Sequence, residues 1–83
     1  MNYSVFILRR AQKELAGLPA VDYQRVCQHI EKLSSSPRPH GSKKLIARPG
    51  WRIRVGRYRV IYDIHDRDKK VVILHVGHRK DVY

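Results

Sequence analysis

From Trp51 to Tyr62 apolar and basic side chains alternate on either side of a two-residue break at Gly56-Arg57. A period of two marks a strand with one buried face, and glycine at the first central position of such a break suits a type II′ hairpin turn. The register follows from that turn. Val55 is expected opposite Tyr58, Arg54 opposite Arg59, Ile53 opposite Val60, Arg52 opposite Ile61 and Trp51 opposite Tyr62. Trp51, Ile53, Val55, Tyr58, Val60 and Tyr62 then point into a core, and Arg52, Arg54 and Arg59 share the other face.

Elsewhere the period changes. Tyr3 to Leu8 is a short β-prone run, and Ala11, Leu15 and Leu18 recur at helical spacing until Gly17 and Pro19 end a first helix. A second helix is expected over 22–35, with Tyr23, Val26, Cys27, Ile30 and Leu33 on one stripe. The stretch Ser34 to Gly41, rich in Ser, Pro and Gly, delivers the chain to the hairpin. Lys70 to His78 carries Val71 and Ile73 on one face and Val72, Leu74 and Val76 on the other, the pattern of an interior strand, with Asp66-Arg67-Asp68 as its turn. The order β-α-α-β-β-β predicts a small α+β domain over 1–83, two helices packed on one face of a mainly antiparallel twisted sheet.

Charge sharpens this picture. The chain of 83 residues has a formal charge of +11, and the segment from Lys43 to Tyr62 holds seven of its 18 Lys and Arg residues and no carboxylate. Arg54 facing Arg59 directly costs a sheet stability, so that face reads as a socket for a polyanion. Nucleic acid, an acidic protein and an anionic membrane remain as partners. The membrane is disfavoured because the cations lie on strands, not on the polar side of a long amphipathic helix. No apolar run approaches the roughly 20 residues of a membrane span, and Met1 to Arg10 lacks a signal-peptide pattern. With Cys27 alone unable to form an internal disulfide, these features lead us to expect a cytoplasmic protein.

Other conspicuous residues have plain roles. Trp51, Tyr58 and Tyr62 are expected in the core, and Cys27 on the buried stripe of its helix. His29, His40, His65 and His75 have no metal-ligand spacing with Cys27 or one another, and Asp63, Asp66, Asp68 and Asp81 are too scattered for a two-metal nuclease. No metal or cofactor is expected.

Five stretches together resemble the RelE/ParE superfamily of toxins from type II toxin–antitoxin systems, and within it the RelE-like ribosome-dependent mRNA endonucleases. They are the helix entry Leu8 to Leu15, the Leu18-Pro19 break, the approach Pro37 to Leu45, the hairpin Gly50 to Ile64 and the ending Val76 to Tyr83. The resemblance implies an active site on Arg52, Arg54, Arg59, Arg79 and Tyr83. This chain departs from the pattern in carrying arginine where the best-known members have lysine at positions 52 and 54, and in the short segment between Arg79 and Tyr83.

Metal-free RNA cleavage needs a base for the 2′-hydroxyl proton, cations for the transition-state charge and a donor to the leaving 5′-oxygen. Arginine is a poor base, so the base is sought at Tyr83 first and at His78 or another histidine second. Arg59 would clamp the scissile phosphate, Arg79 steady the leaving group, and Arg52 and Arg54 orient the backbone. Lys43, Lys44, Arg48 and Arg57, with Arg52 and Arg54, are expected to bind nucleic acid. Outside the site, Arg9, Arg10 and Lys13, with Lys43 and Lys44, are expected to engage rRNA phosphate. The resemblance further implies an acidic, RelB-like antitoxin that orders on binding, and the ribosome with its mRNA as the other partner. Two rival readings stand beside it: a ParE-like inhibitor of DNA gyrase, and a basic RNA-binding module without chemistry.

Overall fold

Pro19 decides where the first half of the chain turns. In the computed structural model, which describes residues 2–78, helix α1 (Arg9–Ala16) ends at Gly17, and Pro19, which has no N–H to lose, stands directly before helix α2 (Ala20–Lys32). Strand β1 (Ser4–Ile7) precedes both helices. The chain then forms β2 (Lys43–Lys44), β3 (Trp51–Val55), β4 (Tyr58–His65) and β5 (Lys70–His78). Their order in the sheet is β1-β5-β4-β3-β2, with β1 parallel to β5 and the other pairs antiparallel.

The hairpin has the expected register, from Val55 opposite Tyr58 to Trp51 opposite Tyr62. Gly56 takes φ of +59° while Arg57 stays out of the left-handed region, as a type II′ turn demands. Ala11, Leu15, Val26, Ile30 and Leu33 of the helical layer pack on Ile53, Val55, Val60 and Tyr62, so the helices cover one face of the sheet. Arg52, Arg54 and Arg59 therefore lie on the other.

Three expectations change. Lys43 and Lys44 form an added short strand, too brief to show a period, which pairs with Arg52 and Trp51. Tyr23 is not on the buried stripe of α2 but 44% exposed, whereas Val26 and Ile30 of the helix and Leu33 just after it are buried in the core. Val76 joins Val71 and Ile73 on the helix-covered face, not Val72 and Leu74. The reason is a bulge: Ile61 pairs with His75 and Tyr62 with Ile73, which leaves Leu74 as an extra residue and reverses the alternation after it. Leu74 instead packs with Leu45 and Ile61 in a second small cluster.

Helix α1 also completes the sheet. β1 stops pairing at Ile7 opposite Ile73, and beyond it the Val76 N–H donates to Glu14 Oε1 at 2.8 Å. The same carboxylate takes His75 Nδ1 at 2.7 Å through Oε2. A side chain thus satisfies a strand donor that a neighbouring strand would otherwise have met. Among the described residues no helix is long and apolar enough to cross a membrane.

Candidate nucleic-acid interface

Residues directly opposite on antiparallel strands share a face, so the hairpin register alone brings Arg54 beside Arg59 and Arg52 beside Ile61. Lys43 stands opposite Arg52 and extends the row to the sheet edge. On the other side Arg59 pairs with Gly77, which offers no side chain to cover it. Arg52 is the one charged side chain among the described residues that is buried, 7% exposed. It lies between two hollows: one of about 250 Å³ under the loop at 45–48, and one of about 550 Å³ along the edge of β3. Arg54 and Arg57 are exposed, and Arg59 is half-buried.

Gly50 closes the loop over Arg52. Its φ of +114° strains any residue with a side chain, and the Tyr62 carbonyl, 3.3 Å from where a Cβ would stand, crowds that position further. The Leu45 N–H donates to the Gly50 carbonyl at 3.0 Å and pins the start of the loop to its end.

The other residues expected to bind nucleic acid divide. Lys43 lies with the arginines, and Arg48 is exposed in the loop. Lys44 faces the opposite way: its Nζ is 5.7 Å from the centre of the Trp51 ring, opposite which it pairs. Trp51 is half-buried against the main core, and the Arg38 guanidinium sits 5.1 Å from the same ring. These two cations make Trp51 a cation–π platform as well as a core residue.

His78 pairs with Tyr58, and their rings meet edge to face at 6.2 Å. It therefore lies on the helix-covered side, opposite to Arg54 and Arg59. Arg79 and Tyr83 lie outside the described residues.

All four described tyrosines hold their protons more tightly than a free phenol does. Tyr62 is fully buried, its hydroxyl donates to the Pro37 carbonyl at 2.7 Å, and burial pushes its pKa up to about 12. Tyr58 donates to Asp22 at 2.9 Å and Tyr3 to Asp66 at 2.6 Å; each bond raises the phenol, because the carboxylate holds the neutral form. Tyr23 is raised by its contact with Cys27.

The anchor of the loop that borders the interface has almost no mark in the sequence. Arg38 grips Asp66 with both ends of its fork, Nη2 to Oδ2 at 2.7 Å and Nη1 to Oδ1 at 3.2 Å. With the Tyr62 bond to Pro37 this fastens the 37–41 segment to the sheet. Arg38 and Asp66 lie 28 positions apart, and the only signal in the sequence is that each sits in a turn. The Arg38 bond, then that from Tyr3, lowers the Asp66 pKa to about 2. A lowered carboxylate favours the fold above its ordinary pKa and ceases to do so as pH falls through the folded value. The clamp should therefore persist below pH 4 and open near pH 2. In Arg38→Gln the Asp66 midpoint, read by carboxyl NMR, should move up toward the ordinary value of about 3.9. An unchanged midpoint would show that Arg38 does not hold it.

Among the described residues no group of three or more His, Cys, Asp or Glu is placed to hold a metal ion.

Residues 5–83 match the family model of the ParE toxin of type II toxin–antitoxin systems, parDE. Solved structures agree in fold. The RelE–RelB complex of Pyrococcus horikoshii OT3 contains a chain 32% identical to this one, with a TM-score of 0.86, over 98% of this chain and 99% of that one. A chain of the RelBE2 toxin–antitoxin complex of Mycobacterium tuberculosis is 33% identical, with a TM-score of 0.84, over 95% and 100% respectively. In the intact RelBE complex of E. coli the match is 25% identical, with a TM-score of 0.79, over 92% of this chain and 95% of that one.

Proposed function

Because this chain belongs to the RelE/ParE superfamily of type II toxin–antitoxin toxins, we propose that it is a RelE-type endonuclease that cuts mRNA on the ribosome and so stops translation. The observation that carries this reading is the face on which Arg52, Arg54 and Arg59 meet. A sheet built for stability alone does not set two arginines opposite each other, and a phosphodiester is the ligand that such a row suits.

The chemistry is an internal transfer. A base takes the 2′-hydroxyl proton, the 2′-oxygen attacks phosphorus, and the bond to the 5′-oxygen breaks as that oxygen receives a proton. One fragment ends in a 2′,3′-cyclic phosphate and the other begins with a 5′-hydroxyl. Arg59 clamps the non-bridging oxygens, where charge accumulates in the transition state. Arg52 and Arg54 hold the adjacent backbone, and Arg79 steadies the leaving oxygen. The cations supply charge neutralisation in this scheme, which needs no metal.

The base is Tyr83. Of the five tyrosines, Tyr3, Tyr23, Tyr58 and Tyr62 are all held in the protonated form. His78 shares a face with Tyr58 and not with the arginines, and His75 is engaged by Glu14. Nearby guanidinium groups would favour the Tyr83 phenolate.

The partner that keeps such a toxin silent is an acidic antitoxin of the RelB kind, as accompanies the RelE chains of Pyrococcus horikoshii and E. coli. The match to the ParE family model favours a second reading, inhibition of DNA gyrase without RNA cleavage. End-group analysis of RNA fragments produced on ribosomes tests the scheme. Cyclic phosphate and 5′-hydroxyl ends are expected, and 5′-phosphate ends would contradict attack by the 2′-oxygen.

A further inference from the structure

β2 covers β3 only at Trp51 and Arg52, so the edge of the sheet from Ile53 onward opens into the hollow of about 550 Å³. His29 and Lys32 of α2, His40 of the anchored loop, and Lys43, Arg52 and Arg54 of the sheet all line it. Among the described residues no carboxylate does. Of the acidic groups on neighbouring elements, Asp22 holds the Tyr58 hydroxyl, Asp66 holds Arg38, Glu31 lines a different groove beside β1, and Asp63 of β4 stands beside Gly50 and does not line the groove. Arg52, nine-tenths buried, has no carboxylate partner among the described residues. A desolvated cation without a counter-ion is costly, and an anion seated beside it offsets that cost.

We propose that this groove is a second RNA subsite, which binds the phosphodiester backbone and a nucleotide next to the scissile bond, with His29, Lys32 and His40 as its outer wall. The assignment rests on the RNA-cleaving reading above and extends it to residues outside the arginine face. Three features point to RNA and not to an acidic peptide. Arg52 and Arg54 belong to both the groove and the arginine face, so a strand whose scissile phosphate lies at Arg59 passes over them into the groove. The volume falls in the range of sites that enclose one small ligand. Six of the nine residues that line it carry basic or imidazole side chains and only Ile53 and Pro39 are apolar, whereas an amphipathic helix would need a channel of apolar side chains. His29 and Lys32, three apart, stand on the same side of α2 and reach the groove together. His40 is held in place because Tyr62 and Asp66 fasten its loop.

The test is fluorescence anisotropy with a labelled single-stranded 2′-O-methyl RNA of nine nucleotides, which cannot be cut, over a salt series. The variant combining His29→Gln, Lys32→Gln and His40→Gln should bind at least tenfold more weakly. The slope of log K against log salt should fall by about 0.7 for each phosphate that the variant no longer neutralises. Arg67→Gln, exposed in the turn between β4 and β5 and away from the groove, removes one charge and should cost about twofold at most. All three groove positions are exposed, so folding should survive, and unfolding curves verify it. In the wild-type chain, the imidazole NMR signals of His29 and His40 should shift as the RNA is added.

Equal losses in the groove variant and Arg67→Gln, with silent imidazoles, would overturn the subsite. So would a groove variant that keeps RNA but loses poly-glutamate binding, because the groove would then face a protein. Groove-dependent RNA binding by a chain that cuts nothing on the ribosome would support the subsite and sink the nuclease reading. A wild-type chain that binds no RNA but cuts mRNA on the ribosome would overturn the subsite and leave the nuclease reading standing.

Discussion

Arg59→Ala is expected to lower ribosomal mRNA cleavage by a hundredfold or more. A charge clamp at a developing oxyanion contributes about 3 kcal/mol to the transition state, and each tenfold in rate corresponds to about 1.4 kcal/mol. The position of Arg59 explains why one residue should matter so much. It stands on a central strand between Arg54 and Gly77, so strands fix its backbone on both sides. Arg59→Lys should recover only part of the loss, because an ammonium keeps the charge but not the planar fork that binds two phosphate oxygens at once. Single-turnover rates on programmed ribosomes check both variants. Near wild-type turnover in Arg59→Ala would remove that residue from the mechanism.

Tyr83→Phe should be about as severe, a loss of 10²- to 10⁴-fold, the usual contribution of a placed general base. The change removes only the ionisable oxygen. His78→Ala serves as its counterpart, because His78 lies against Tyr58 on the helix-covered side of the sheet. It should leave most of the cleavage rate intact. Retained activity in Tyr83→Phe together with a large loss in His78→Ala would exchange the base assignment.

The hairpin was legible because two independent signals agree there. Gly56-Arg57 sets the turn, and the alternation on either side sets which residues face each other, so the arginine row followed without tertiary information. Signals that depend on the rest of the fold were not legible. Val76 changed faces because Leu74 is an extra residue in β5, and a bulge has no mark in a run of Val, Ile and Leu. Tyr23 fell off the buried stripe because the core contacts of this segment run through Val26, Ile30 and Leu33, with Cys27 at their border. The burial of Arg52 depends on the loop at 45–50, whose closure rests on the left-handed Gly50 and one hydrogen bond. The groove wall of His29, Lys32 and His40 is drawn from a helix and a loop, and three separated residues show no period. Glu14 likewise reads as a solvated helix charge until β5 brings Val76 and His75 to it.

The central claim is that the arginine face cuts mRNA on the ribosome. Primer extension on a defined mRNA tests it most directly, with the purified protein added to naked message and to a programmed ribosome, and with Arg59→Ala in parallel. Discrete cuts on the ribosome alone, absent with the variant, are the predicted result. No cuts in either setting, together with inhibition of gyrase supercoiling by the same preparation, would contradict the claim and assign the chain to the ParE mode of action.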